Sequence, residues 1–275
     1  MKTQHCAGLV SKVFRQVGND KWTKPRSRLK RRCALLTMLN LLTTVQGKQV
    51  FLKEHALNLA SPDKMFTHVY SSDKVEPLRL HERGLVNSSY TNPTCLPDSI
   101  LLSMRPIIQI RNPILMYPSM VRAVSKSMGT MRPRQPMLEF ILTLRHSRAL
   151  YDWYLDQGGN LQPQVLDADD IINDRAAVRH VCLMTGLDPD AVLYEWEERE
   201  EPDPRKAAFL STINASKGII PSLAAKGVDF ETEKEKWKAE FGEEDGEDLA
   251  KAVLASMADY KYLLSKRTYI SSKRD

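Results

Sequence analysis

Pro106-Ile107-Ile108-Gln109-Ile110-Arg111-Asn112-Pro113 is the stretch on which the reading of the fold turns. Ile107 to Ile110 is a short apolar run of buried-strand type. Arg111-Asn112-Pro113 stops it, and Ile114 to Ser125 then reads as a helix. Downstream, Gln164-Val165-Leu166, ending at Asp167, is a second strand of the same kind. Upstream, Lys48-Gln49-Val50-Phe51-Leu52-Lys53 is β-rich and bounded by Gly47 and His55, which predicts a third. Between and after these runs the apolar period changes to about 3.6 residues. Leu138, Ile141, Leu142, Arg145, Leu150, Trp153 and Tyr154 mark one long amphipathic helix. Val178, Val181, Cys182 and Met184 mark another, with Gly186 as its C-terminal cap. Trp237 to Phe241 and Leu249 to Leu264 predict two terminal helices, parted by an acidic turn from Gly242 to Glu247. Short buried strands alternating with helices imply an α/β fold with a mainly parallel sheet flanked by helices. Ligands of such folds sit at the carboxyl ends of the strands, where His55, Arg111 and Asp167 fall.

The 275 residues are 42% hydrophobic and 27% charged, enough to build one sizeable core, and no repeat or long linker divides them. A single domain over 1–275 is expected, with 1–46 an atypical basic segment. No stretch approaches eighteen consecutive apolar residues, so no membrane-spanning helix is expected. The net charge of +6 is unevenly placed. Up to Leu52 the only acidic residue is Asp20, while Lys21, Lys24, Arg26, Arg28, Lys30, Arg31 and Arg32 crowd together; Glu195 to Asp248 is strongly acidic. A basic site for an anion, a basic arm for nucleic acid and a plain solvated charge run all fit that asymmetry. Cys6, Cys33, Cys95 and Cys182 lie far apart without a C-x-x-C pair, which suits free thiols in a reducing compartment. The N-terminus lacks the apolar core of a secretory signal, so a cytoplasmic protein is expected; its Arg-rich, acid-poor character also fits a mitochondrial presequence.

Arg111 leads the residues that could carry chemistry. A strand-to-helix junction offers free backbone N–H groups and a positive helix end, so a guanidinium there with a hydroxyl makes a phosphate site. Ser119, eight residues on, is the natural second ligand. Spacing alone equally allows a structural ion pair. Lys53 and His55 flank Glu54, so on an extended backbone both side chains project to one face. A point charge beside a titratable imidazole suits group transfer, the His removing a proton from an acceptor hydroxyl and the Lys stabilising charge. A surface Lys beside a hydrogen-bonded structural His is the plainer alternative.

Phe51-Leu52-Lys53-Glu54-His55, then Ile107 to Pro113 with Ser119, then Val165-Leu166-Asp167-Ala168-Asp169-Asp170-Ile171 resemble the ordered landmarks of the P-loop sulfotransferases. The likeness is greatest to divergent sulfotransferase-like proteins of fungi and bacteria, and it spans roughly 48–264. It implies a P-loop NTPase-like fold and transfer of a sulfonate group from PAPS (3′-phosphoadenylyl sulfate) to a hydroxyl of a small organic acceptor, such as a secondary metabolite. It also implies that His55 is the base, Lys53 the electrostatic stabiliser, and Arg111 with Ser119 the 3′-phosphate clamp. Asp170-Ile171-Ile172-Asn173-Asp174 and the helix running to Thr185-Gly186-Leu187 resemble a further family landmark. Phe209 to Gly218 resembles the family's late loop over the donor, which makes Ser216, Lys217 and Gly218 further candidates for the 3′-phosphate.

The departures matter as much. The family's opening phosphate loop, P-[RK]-[ST]-G-[ST]-[ST], has no intact copy. Pro25-Arg26-Ser27 resembles its first half, making Arg26 and Ser27 candidates for the 5′-phosphosulfate, but Arg28-Leu29-Lys30 follows where small and hydroxyl residues belong. Bulky side chains obstruct close backbone approach to phosphate. An N-terminally incomplete copy of the fold is therefore expected, as a shortened reading frame would also give. Ala168 stands where many relatives place an aromatic against the adenine; Trp153 or Tyr154 could substitute, although their periodic context points to the core. There is no G-x-x-x-x-G-K-[ST], G-x-S-x-G, H-E-x-x-H or G-x-G-x-x-G, so ATPase, α/β-hydrolase, zincin and nicotinamide chemistries lack their residues, and no metal is expected. The rival class is a catalytically inactive relative that keeps the fold and serves as a binding or scaffold protein.

Overall fold

The computed structural model describes residues 52–64, 77–81, 88–159 and 161–269. Residues 48–51 and the basic segment with Arg26 and Ser27 lie outside the described residues. The chain falls into two compact units, divided between Ser103 and Met104.

In the first unit, Leu52 and Lys53 belong to no strand, which corrects the strand expected over 48–53 at its two described positions. The local reason is Glu54. Its Oε1 accepts the His55 N–H and the Asn58 side-chain N–H, both at 2.7 Å, and turns the chain into helix α1, Ala56–Leu59. Beyond it the unit is organised by a buried polar knot under helix α2, Asp98–Leu102. The Asp98 carboxylate accepts the N–H groups of Thr91 and Asn92 and the 2.6 Å side-chain N–H of Asn92, so a buried charge is fully hydrogen-bonded. Those bonds outweigh burial and hold its carboxyl at about 2, well below the usual carboxylate range.

The second unit holds the expected parallel pair. β1, Ile107–Ile110, lies parallel to β2, Gln164–Asp167, in the register Ile107↔Gln164 to Ile110↔Asp167. On β1, Ile108 and Ile110 are buried and Gln109 is exposed; on β2, Val165, Leu166 and Asp167 are all buried. Each strand runs directly into a helix, β1 into α3 (Pro113–Met128) and β2 into α6 (Ala168–Asn173). The edge of β2 away from β1 is closed by the chain's own later segment: Thr268 N–H donates to Val165 O and Val165 N–H to Thr268 Oγ1, both at 3.0 Å.

The long helix expected from Leu138 to Tyr154 is two helices, α4 (Pro136–Ile141) and α5 (Arg145–Asp156). Leu142 leaves helical backbone at φ −84, ψ 58, and Thr143 Oγ1 accepts the Arg145 N–H to begin the next helix. Both Leu142 and Leu144 are buried, so the break lets two nearby leucines enter the core where one straight helix would spread them around its surface. α7, Arg175–Thr185, ends as read, on Gly186 in the left-handed region at φ 76. α8, Pro204–Asn214, packs on α3.

The acidic turn expected over 242–247 is only Gly242. α9 (Phe230–Phe241) stops there and α10 (Glu243–Ser265) starts at once, with Glu243, Glu244 and Asp245 in its first turn, where negative charge favours a helix N-terminus. α10 is the central post: Leu249, Val253 and Leu263 are fully buried, and Ser256 accepts the Tyr117 hydroxyl from α3 at 2.5 Å. No described helix is long and apolar enough to cross a membrane.

Candidate active site

The carboxyl ends of β1 and β2 lie side by side because the strands are parallel, and Arg111 and Asp167 sit there. The junction after β1 differs from expectation in one respect. The first-turn N–H groups of α3 are already used: Pro113 has none, Ile114 N–H is capped by Asn112 Oδ1 at 3.0 Å, and those of Leu115 and Met116 reach Asn112 O. An Asn cap and a Pro at the first helical position satisfy the helix end internally. Holding an anion here therefore falls to side chains rather than free amides.

Arg111 is half-buried, and its Nη2 donates to the carbonyl of Leu223 at 3.2 Å. Its Nε–H is buried and has no partner. Burial lowers the guanidinium's pKa and the nearby Asp169 charge opposes that. An unpaired N–H on a charged fork is costly unless something accepts it, and an oxyanion would. Ser119 is exposed on the second turn of α3.

Across from Arg111, the end of β2 and the first turn of α6 deliver three carboxylates in four residues. Asp167 is almost completely buried, and its oxygens lie 3.4 Å from the Tyr260 hydroxyl of α10. Burial, then the charges of Asp169 and Asp170, push its carboxyl up to about 6. Asp169 accepts the Ala225 N–H through both oxygens at 2.9 Å. Asp170 is raised by burial, with the Arg267 charge opposing, and its Oδ2 is buried without a hydrogen-bond partner. The segment carrying Leu223 and Ala225, a 3-10 turn at Pro221–Leu223, is thus tied to both strand ends at once. Sequence reading missed this strap, because Asp169 and Ala225 are 56 positions apart and no local pattern joins them.

Lys53 and His55 belong to the first unit. His55 keeps part of its surface open, yet desolvation, then the neighbouring Lys53 charge, lowers its pKa below 6.5, with Glu54 opposing. A neutral imidazole at pH 7 is able to accept a proton.

Over 242 residues, 82% of this chain and 71% of the relative, the sequence is 34% identical to sulfotransferase ppzF of Metarhizium rileyi; over 239 residues, 81% and 70%, it is 34% identical to sulfotransferase ppzF of Metarhizium majus. The chain belongs to the sulfotransferase family. No protein-family profile and no solved structure matches it.

The other residues singled out by the resemblance lie as follows. Ser216 is buried; its hydroxyl donates to Ile213 O at 2.8 Å and accepts the Trp196 indole N–H at 3.2 Å. Lys217 is exposed, 3.8 Å from Glu198, and Gly218 bridges antiparallel to Glu195. A Cβ on Gly218 would come within 3.1 Å of Tyr194 O, which accounts for the glycine by close approach. These three residues form one side of a pairing with the acidic 194–199 segment, Trp196 N–H donating to Lys217 O and Arg199 N–H to Asn214 O, both at 3.0 Å. Trp153 and Tyr154 are buried and pack edge to face at 5.0 Å, a core arrangement, and Ala168 is itself buried at the start of α6. Among the described residues no group of His, Cys, Asp and Glu could hold a metal ion.

Proposed function

We propose that this sulfotransferase moves a sulfonate group from PAPS to a hydroxyl of a small organic acceptor, on a P-loop type of α/β fold. Arg111 and Ser119 would hold the donor's 3′-phosphate, and the candidates Ser216, Lys217, Gly218, Arg26 and Ser27 would add to its phosphate contacts. His55 accepts the acceptor's hydroxyl proton as the oxygen attacks sulfur; the S–O bond to the nucleotide breaks, and its electron pair leaves on the nucleotide phosphate. Lys53 stabilises the charge that develops. Positioning and charge stabilisation supply most of the acceleration in such a displacement.

The observation that carries this reading is the Arg111 guanidinium at the end of β1, with its buried Nε–H lacking an acceptor, in a chain of this family. Calorimetry with adenosine 3′,5′-bisphosphate on the wild type and Arg111→Ala tests it. Micromolar binding weakened by roughly 30-fold or more in the variant is expected, about the value of a charge-assisted hydrogen-bond pair. Equal binding by both would refute the clamp. The engagement of Ser216 and the Glu198 beside Lys217 favour a second reading, an inactive relative that binds or scaffolds. It predicts no binding by folded wild-type protein.

A further inference from the structure

The strap over the strand ends has no role in the reading above, and two independent contacts hold it. One is Arg111 Nη2 to Leu223 O at 3.2 Å, from the end of β1. The other is Ala225 N–H to both Asp169 oxygens at 2.9 Å, from the helix that follows β2. Leu223 and Ala225 are two residues apart, so the Asp169 bond fixes where the Leu223 carbonyl stands. That carbonyl is the acceptor which orients the Arg111 fork. Ala225 is buried, which shields its amide bond to Asp169 from water.

We propose that Asp169 is a positioning residue: by pinning the Pro221–Ala225 strap it sets the orientation of the Arg111 guanidinium and turns the unpaired Nε–H toward an arriving anion. This deepens the donor-site reading and rests on it. A Coulombic role would act in the opposite direction, because a carboxylate beside Arg111 repels a phosphate, and removing it should tighten anion binding. A hydrogen-bond role predicts loss instead, and predicts that an uncharged acceptor restores it. Asp169→Asn keeps an oxygen for the Ala225 N–H; Asp169→Ala does not.

Two measurements on the full chain separate these outcomes. In hydrogen exchange, the peptide containing Ala225 should exchange about 10-fold or more faster in Asp169→Ala and within about threefold of wild type in Asp169→Asn. In calorimetry, adenosine 3′,5′-bisphosphate should bind Asp169→Ala roughly 10-fold more weakly and Asp169→Asn within about threefold. Unchanged exchange in Asp169→Ala, or equal losses in both variants, would overturn the positioning role. So would tighter binding by Asp169→Ala. Folded wild-type protein that fails to bind the nucleotide would remove the donor-site reading and with it Asp169's role toward an anion. The exchange arm would then report on the strap alone, so the two failures are distinguishable.

Discussion

Replacing Asp167 by Asn should stabilise the protein at neutral pH and leave it nearly unchanged near pH 4. The carboxyl lies at about 6 in the folded chain, raised first by burial and then by Asp169 and Asp170, against an ordinary value of 3.8. A group raised on folding binds its proton more tightly in the folded state. Its contribution is favourable below the ordinary value and is lost as pH rises through the folded one, here between about pH 4 and pH 6. The difference of roughly two pKa units corresponds to about 3 kcal/mol at pH 7, because each unit is worth about 1.4 kcal/mol. The residue is only 3% exposed, so solvent screening removes little of this. Asn keeps an oxygen for the Tyr260 hydroxyl and carries no charge into the core. For a chain of this size about 3 kcal/mol is roughly 6–10 °C in Tm. Thermal or urea unfolding of both proteins from pH 4 to pH 7.5 gives the test: the gain should grow with pH and vanish at the acid end. A variant less stable than wild type at pH 7 would show that the ionised carboxylate is held by favourable contacts and that the burial argument is wrong.

His55→Ala should lower kcat by roughly 10²–10⁴-fold, and because burial and Lys53 lower the wild-type imidazole below 6.5, the acid limb of kcat/KM should lie below that value with a plateau above it. A limb above 6.5, or turnover unaffected by the substitution, would remove His55 as the base. Gly246→Ala should destabilise the protein by about 1–2 kcal/mol, measured by urea unfolding. A Cβ there meets Lys238 Cα and N at 2.7 Å, about 1 Å inside normal contact, and the clash with backbone of α9 exceeds the ~1 kcal/mol that alanine gains over glycine within a helix. A more stable variant would show that α9 and α10 move apart at little cost.

What the sequence carried, it carried through period and punctuation. Ile107 to Ile110 and Gln164 to Asp167 are strands because short β-branched and apolar runs end abruptly, at Asn112-Pro113 after one and in a helix start after the other. Gly186 caps α7 for the reason that made it readable, its φ of 76. The failures are places where tertiary demand overrode period. Leu142 belongs to the stripe that predicts one unbroken helix, but Leu142 and Leu144, two positions apart, are both buried because the helix breaks there. Glu243 to Glu247 looked like a solvated turn because acidic residues usually are. A Gly with φ 95 followed by a helix N-terminus makes the same residues the start of α10 instead. Arg111 and Asp167 were legible as strand-end residues. The bonds from Arg111 to Leu223 and from Asp169 to Ala225 were not, since they span 112 and 56 positions and leave no local trace.

The charge arrangement at the strand ends sets what kind of anion site this can be. A phosphate nest made of backbone amides is strong because its donors are fixed and bring no counter-charge. Here the first-turn amides of α3 are spent on Asn112, so that route is closed at β1. Among the described residues, Arg111 and Arg267 are positive groups near the strand ends, and Asp167, Asp169 and Asp170 stand among them. These carboxylates offset attraction at the proposed anion site, so its affinity would rest on direction: a planar fork oriented by the strap, with an N–H that is buried and unpaired. Such a site gains selectivity from geometry and loses it quickly when the fork is released. Removing the strap's anchor should consequently matter more than adding or deleting a distant surface charge, which Debye screening reduces within about 10 Å at ordinary salt.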